Sequence, residues 1–153
     1  MKRILIATNG SLSAAHAVEI GLELAEEHGA EPIFVHVAPT IEVLPVGIVG
    51  MGTAPVSAPH VLDKHDRLCL DKAVKLTEER GLEARTELRT GDPAKQIVGY
   101  ADSIEADLIV VGSHGHGAVS GALLGSVSRG VLRRTTRPVL IVREVPQFAE
   151  AIA

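Results

Sequence analysis

The chain has 153 residues, a length that predicts a single domain spanning residues 1–153. Its formal net charge is −4 and its acidic and basic residues are interspersed, which argues against nucleic acid as a partner because such a partner needs a basic stripe. With one cysteine, one tyrosine, two phenylalanines and no tryptophan, the chain excludes an internal disulfide framework and a base-stacking aromatic surface, and its core must be aliphatic.

The N-terminal segment predicts no membrane span. The apolar run from Ile4 to Ala7 follows two basic residues, as in a signal peptide, but it stops at Thr8, far short of a signal's apolar region. The lone cysteine, Cys69, fits a reducing compartment. We therefore expect a cytoplasmic protein with no membrane partner.

The first part of the chain predicts a strand, a helix and a second strand. The segment from Arg3 to Ala7 predicts a buried strand, and the polar turn after it leads into a helix capped by Ser11 or Ser13. Gly29 ends this helix, and Ile33 to Val37 predicts the second strand. Such a crossover is expected to be right-handed.

A long connection from Ala38 to Pro59 is interrupted by prolines and glycines, so we expect no regular element in it. It leaves the carboxyl end of a strand, where sheets of this kind bind ligands. We favour a flap beside the ligand. A partner surface made by Val43, Ile48, Val49 and Met51 is the alternative.

The second helix is predicted from an apolar face that Gly81 closes. The residues of this face are Val61, Leu62, His65, Leu68, Cys69, Ala73 and Leu76. His65 and Cys69 lie one turn apart, a spacing that suits a metal, but with no second ligand pair nearby we favour a packing role. Leu82 to Leu88 alternates as in a strand near a sheet edge.

The rest of the chain predicts two further helices and two further strands. Asp92 caps a helix that has Pro93 in its first turn. Leu108 to Val111 is an apolar run typical of a strand covered on both faces, and Pro138 to Val142 supplies a fifth strand. Five strands alternating with four helices predict an α/β, doubly wound sheet.

Four arginines cluster in the last predicted helix. They are Arg129, Arg133, Arg134 and Arg137. Because cations complement the C-terminal end of a helix dipole, we interpret the cluster as a solvated, stabilising face and not as a nucleic-acid site.

Between the fourth strand and the last helix lies a glycine-rich loop. It contains Gly112-Ser113-His114-Gly115 and, after nine intervening residues, Gly125-Ser126, directly ahead of the helical pattern Val127, Val131, Leu132. Glycines leave backbone amides bare, and the first turn of a helix adds unpaired N–H groups and a positive dipole end. The pattern favours a phosphate site over the alternative, a mobile surface loop. No Walker loop or complete dinucleotide fingerprint is present.

This spacing, Gly-x-x-Gly-x9-Gly-Ser after an apolar strand, resembles the nucleotide-binding branch of the universal stress protein superfamily, and the resemblance extends over nearly the whole chain. It implies a single-domain, doubly wound, Rossmann-like fold with a five-stranded parallel sheet in the order 3-2-1-4-5 and four helices. The ligand would lie between the first and fourth strands. A homodimer through the last strand, Pro138 to Val142, is also implied.

The resemblance implies ATP as the ligand. The residues expected to hold adenine, ribose and phosphates are Ala7, Thr8, Asn9, Val37, Gly112, His114, Gly115, Gly125, Ser126, Val127 and Ser128. Asn9 departs from the family, which usually has aspartate there to accept hydrogen bonds from the ribose hydroxyls. A carboxamide still accepts hydrogen bonds but lacks the charge. Asn9-Gly10 is also a common turn dipeptide.

Between Gly112 and Ser128 the sequence has no Asp, Glu or Lys to act as a base or a phosphoryl-transfer lysine. Mg²⁺ would be held through phosphate oxygens and water, with Ser126 or Ser128 as possible protein ligands. We therefore predict an ATP-binding regulatory protein of the stress response with slow or no hydrolysis and no catalytic or metal-ligating residues. The alternatives are a nucleotide-independent dimeric interaction module and a slow ATPase or phosphotransferase.

Overall fold

The structure is a computed structural model that describes residues 1–43, 56–58, 62–114 and 123–144. Its main sheet has five parallel strands in the order β5-β2-β1-β6-β7. These strands are β1 (Arg3–Ala7), β2 (Glu31–Ala38), β5 (Arg85–Thr90), β6 (Leu108–Gly112) and β7 (Val139–Val142). Among the five sheet strands this order reads 3-2-1-4-5, which confirms the predicted fold class.

Four helices cover the two faces of the sheet. They are α1 (Leu12–His28), α2 (Lys64–Glu79), α3 (Pro93–Ser103) and α4 (Ser126–Arg134). Leu5 of β1 packs into a cluster with α3 and α4, whereas its neighbours Ile4 and Ile6 pack into a cluster with α1 and α2. Alternate strand residues therefore fill two aliphatic cores. In the described parts of the chain, no helix has the length and apolar character needed to cross a membrane.

The predicted helix ends are confirmed where local chemistry sets them. Ser11 Oγ accepts a hydrogen bond from the Ala14 amide at 3.2 Å and caps α1, and Gly29 ends that helix in the left-handed conformation with φ 60°. At α3, Asp92 Oδ1 accepts from the Lys95 amide at 2.8 Å and Pro93 occupies the first turn. These caps fix where the helices leave the carboxyl edge of the sheet.

The expectation of no regular element between Ala38 and Pro59 is wrong. Strands β3 (Ile41–Val43) and β4 (Val56–Ala58) form an antiparallel pair in which Val43 lies opposite Val56. The prolines and glycines of this segment flank the two strands and leave their β-branched residues free to pair. Residues 44–55 of the predicted flap lie outside the described part of the chain, and so do Ile48, Val49 and Met51 of the alternative partner surface.

The predicted apolar face of α2 is also partly wrong. Leu62, Leu68 and Leu76 are 40%, 49% and 37% exposed. The buried residues of the helix are Asp66, Cys69, Leu70, Ala73 and Thr77. The difference arises because a polar residue, Asp66, turns inward and rotates the buried face away from the leucines. Val61 lies outside the described residues.

Two smaller differences concern the ends of apolar runs. The predicted strand from Leu82 to Leu88 begins three residues later, at Arg85, because the Leu82 amide still donates to the Thr77 carbonyl oxygen of α2 at 3.1 Å. Its predicted place at the sheet edge is confirmed.

In α4, Val131 is fully buried but Leu132 is half exposed, so the short helix buries a narrower face than its pattern predicts.

Candidate functional site

A cavity of about 800 Å³ opens at the carboxyl ends of β1, β2 and β6 and reaches the start of α4. This is the point at which the strand order reverses, where α/β sheets bind ligands. Ten of the residues predicted from the sequence line it: Ala7, Thr8, Asn9, Val37, Gly112, His114, Gly125, Ser126, Val127 and Ser128. The remaining one, Gly115, lies outside the described residues.

The turn after β1 forms one wall of the cavity. The amide of the buried Thr8 donates to the Val35 carbonyl oxygen at 2.9 Å and continues the β1–β2 ladder. Asn9 Oδ1 accepts from the Ser11 amide at 3.0 Å, and Gly10 follows with φ 79°. Asn9 therefore stabilises the turn into α1 as well as lining the cavity.

At the end of β6, Gly112 lets the strand approach the first turn of α1. A Cβ atom at Gly112 would lie 2.8 Å from the carbonyl carbon of Ser13 and 2.9 Å from the amide nitrogen of Ala14. Ser13 Oγ in turn accepts from the His114 amide at 3.2 Å. Gly112 thus has a packing role in addition to the bare amide that the sequence suggested.

The first turn of α4 forms the opposite wall. Gly125 is the N-cap residue of this helix. Glycine has no side chain that could accept a hydrogen bond, so the first amides of α4 have no N-cap side chain as their acceptor. The φ of −73° at Gly125 is accessible to any residue, so the backbone conformation does not require glycine here. The Ser128 hydroxyl donates to the carbonyl oxygens of Ser113 and Gly125, both at 3.1 Å. That hydroxyl holds the turn, whereas the first amides of the helix are of the kind that can bind an anion.

The matched family model, the universal stress protein family, covers residues 1–143. The chain belongs to the universal stress protein family. It is 34% identical over 144 residues to universal stress protein MJ0531 of Methanocaldococcus jannaschii, covering 94% of this chain and 82% of that protein. It is also 34% identical over 148 residues to YxiE of Bacillus subtilis, covering 92% and 98%. A solved structure of a universal stress protein in complex with cAMP is 26% identical, with a TM-score of 0.67 and coverage of 92% and 95%.

In this universal stress protein a buried polar pair, His36 and Asp66, also lines the cavity, and sequence reasoning missed it. His36 Nδ1 lies 2.9 Å from the Thr8 carbonyl oxygen and Nε2 lies 2.8 Å from Asp66 Oδ1. The other oxygen of Asp66 accepts from the Asp63 amide at 2.9 Å. The only sequence signal was a histidine inside an otherwise apolar strand.

Cys69 and His65 lie next to the Asn9-Gly10 turn, with Cys69 Sγ 3.8 Å from His65 Nε2. Burial raises the pKa of the Cys69 thiol, and the negative charge of Asp66 raises it further. Within the described ranges no group of three or more potential ligands is placed to hold a metal. Cys69 is buried, in agreement with the packing role predicted for it, whereas His65 is exposed at the cavity.

The arginine cluster divides into different environments. Arg129 is exposed, as predicted, but it lies in the first turn of α4 and lines the cavity, so its assignment to the late part of the helix is wrong. Arg133 and Arg134 occupy the last turn, as expected. Arg137 lies beyond the helix, where its Nε donates to Asp102 at 2.7 Å. The error arose because Arg129 was grouped with the arginines of the last turn, although the helix begins at Ser126 and Arg129 is therefore near its positive end.

Proposed function

We propose that this universal stress protein is a regulatory protein of the stress response that binds an adenine nucleotide, with ATP as the expected ligand. The observation that carries the proposal is that ten residues implied by the sequence resemblance line one cavity. The cavity volume of about 800 Å³ suits a nucleotide. The cAMP complex of a related universal stress protein supports an adenine nucleotide as the class of ligand.

The chemistry of the two walls supports a defined orientation of the nucleotide. The amides of Ser126, Val127 and Ser128 would hold phosphate groups at the positive end of the α4 dipole. Adenine and ribose would lie against Ala7, Asn9 and Val37. Mg²⁺ would be bound through the phosphate oxygens and not by a dedicated carboxylate cage.

Slow or absent hydrolysis is part of the proposal. Among the lining residues that the structure describes, the carboxylates are Asp63 and Asp66; they belong to the start of α2, and both accept backbone hydrogen bonds there. Neither is on the α4 wall, where the phosphates are expected. A general base must come within hydrogen-bond reach of the attacking water, and neither carboxylate is placed on that wall.

A two-step experiment tests the proposed function. Purified protein is heated, and the released ligand is identified by chromatography and mass spectrometry. Protein freed of ligand is then titrated with ATP, ADP, AMP and GTP by calorimetry and thermal unfolding. At a hundredfold excess over the dissociation constant, ATP should add about 2.7 kcal/mol to the free energy of unfolding, and GTP should add less.

The variant Gly125→Val serves as the control for the location of the phosphates. A branched side chain at the N-cap should block the approach of an anion to the amides while circular dichroism stays unchanged. If the wild type shows neither a calorimetric signal nor a thermal shift with any adenine nucleotide, the proposal is wrong and the interaction module replaces it. Phosphate release at enzyme-like rates with added Mg²⁺ would instead favour an ATPase.

We also propose a homodimer formed through β7. This strand is the last in the sheet order, and all four of its residues are only partly buried in the isolated chain. An unpaired edge with apolar residues is a template for pairing with a second strand. A two-fold dimer would place two β7 strands side by side and cover Leu140 and Ile141.

A further inference from the structure

Arg129 lies over the part of α4 at which an anion is expected. Its amide donates to the Gly125 carbonyl oxygen at 3.1 Å, so Arg129 is one helical turn after the N-cap. Side chains on a helix lean towards its N-terminus and cover the preceding turn. Arg129 lines the cavity together with Ser126 and Val127, so we expect its guanidinium group near the amides of this first turn.

The charges along the cavity are separated by sign. Asp63 and Asp66 lie at the end formed by α2, and Arg129 lies at the end formed by α4. Among the lining residues that the structure describes, Arg129 is the only lysine or arginine. The dipole of α4 adds positive potential at the same end. A ligand with one anionic and one neutral end would be oriented with its anionic end at Arg129.

The position of Arg129 is unfavourable for an isolated helix, because a cation near the helix N-terminus is repelled by the dipole. Several other arginines in the structure are paired with acids: Arg3 with Glu31, Arg80 with Glu26, Arg85 with Glu31, Arg89 with Glu87 and Arg137 with Asp102. Across the described residues, the side chain of Arg129 has neither an ion pair nor a hydrogen bond. An anionic ligand would supply the missing counter-charge.

We infer that Arg129 binds the terminal phosphate of the nucleotide and makes the site select nucleoside di- and triphosphates over monophosphates. This inference rests on the proposed function and adds the specificity-determining residue. The α4 amides would hold the phosphate nearest the ribose. The exposed guanidinium would reach the phosphates that extend towards solvent, and its planar donors suit a bidentate contact.

Calorimetry with adenosine, AMP, ADP and ATP on wild type, Arg129→Gln and Arg129→Lys tests the inference. Arg133→Gln is the matched control, since it removes the same charge from the same helix outside the cavity lining. Arg129→Gln should weaken ADP and ATP by about ten- to a hundredfold and leave adenosine unchanged. AMP should change by less than about threefold, and Arg129→Lys should retain part of the ATP affinity.

A structural role for Arg129 is separated from a binding role by the ligand-free variants. Removing a cation from the positive end of α4 should leave the melting temperature of Arg129→Gln equal to or above that of wild type. Equal losses for all four ligands, an unchanged affinity for ATP, or the same loss in Arg133→Gln would each overturn the inference. Failure of the wild type to bind any adenine nucleotide would refute the proposed function itself, and the inference with it. If the wild type binds nucleotide but Arg129→Gln does not weaken ADP and ATP more than AMP, only the inference is refuted and the proposed function stands.

Discussion

Nε2 of His36 lies 2.8 Å from Oδ1 of Asp66, and both side chains are 5% exposed. The contact joins β2 to the first turn of α2 across 30 residues of sequence. On the other side of the ring, Nδ1 must carry a hydrogen, because its partner, the Thr8 carbonyl oxygen, can only accept. One imidazole thus holds together the end of β1, the strand β2 and the start of α2.

Asp66→Ala should lower the free energy of unfolding by about 3–5 kcal/mol, because it leaves a buried imidazole and the Asp63 amide without their partner. Asp71→Ala is the control, since Asp71 is an exposed acid on the same helix and should change stability by less than about 0.5 kcal/mol. Urea unfolding of both variants gives the comparison. Equal stabilities would mean that the pair does not hold α2 to the sheet.

Gly112→Ala should destabilise the protein by about 1–3 kcal/mol, because its Cβ would lie against the backbone of Ser13 and Ala14. Gly99→Ala is the matched control. Gly99 lies in α3, and the methyl group that alanine adds there would meet no neighbouring side chain within 4 Å, so this substitution should stabilise by about 0.5–1 kcal/mol. Thermal and urea unfolding should shift in opposite directions for the two variants. A neutral Gly112→Ala would show that β6 and α1 can separate without cost.

The thiol of Cys69 should make stability depend on alkaline pH. Burial and the charge of Asp66 raise the pKa of the thiol in the folded state. The protonated thiol therefore adds to the free energy of unfolding below 9.0, the value for the unfolded thiol, and this added stability is lost as the pH rises through the folded pKa. The melting temperature of wild type should therefore fall relative to that of Cys69→Ala as the pH increases beyond about 9. Parallel melting curves from pH 7 to 10 for the two proteins would contradict this.

Much of the fold could be predicted because its signals are local. Apolar runs such as Leu108 to Val111 identify buried strands, and caps such as Ser11 and Asp92 identify helix starts without knowledge of distant contacts. The β3–β4 pair was missed because three-residue strands are defined by their partner and not by their own pattern. The face of α2 was misassigned because Asp66 is buried through a residue on another element.

The candidate site shows the same division. The turn at Asn9 and the glycines on either side of the loop are recognisable within short stretches of sequence, and the described members of that set meet in one cavity. Arg129 was misplaced because it was grouped with the arginines at the end of α4, although the start of the helix at Ser126 was recognisable from the sequence. The contribution of His36 depends on which helix packs across β2, and that cannot be read from spacing. The sequence therefore predicted the backbone segments that line the cavity better than the long or buried polar side chains that line it.

Ile141→Pro should convert the proposed dimer to monomers. The carbonyl oxygens of Pro138 and Val142 accept hydrogen bonds from the β6 side of the sheet. Backbone groups of successive residues in a strand point to opposite edges, so the amide of Ile141 faces the open edge. Proline at this position removes an edge donor and leaves the ladder to β6 intact. Ile141→Ala is the control, because it shortens the side chain and keeps the amide. Light scattering should give a dimer for wild type and Ile141→Ala; a monomeric wild type at high concentration would exclude the dimer.

Asn9→Asp should strengthen nucleotide binding if the ribose lies against the turn after β1. The carboxylate can still accept from the Ser11 amide, so the turn should be preserved. Hydrogen bonds to a charged acceptor contribute about 1.5–3 kcal/mol, against roughly 0.5–1.5 for neutral ones, whereas repulsion from the phosphates opposes the gain. We expect a net improvement of about 1 kcal/mol for ATP, several-fold in affinity, and a larger one for adenosine, which has no phosphates. Calorimetry with both ligands measures the difference, and an unchanged affinity for adenosine would mean that Asn9 does not contact the ribose.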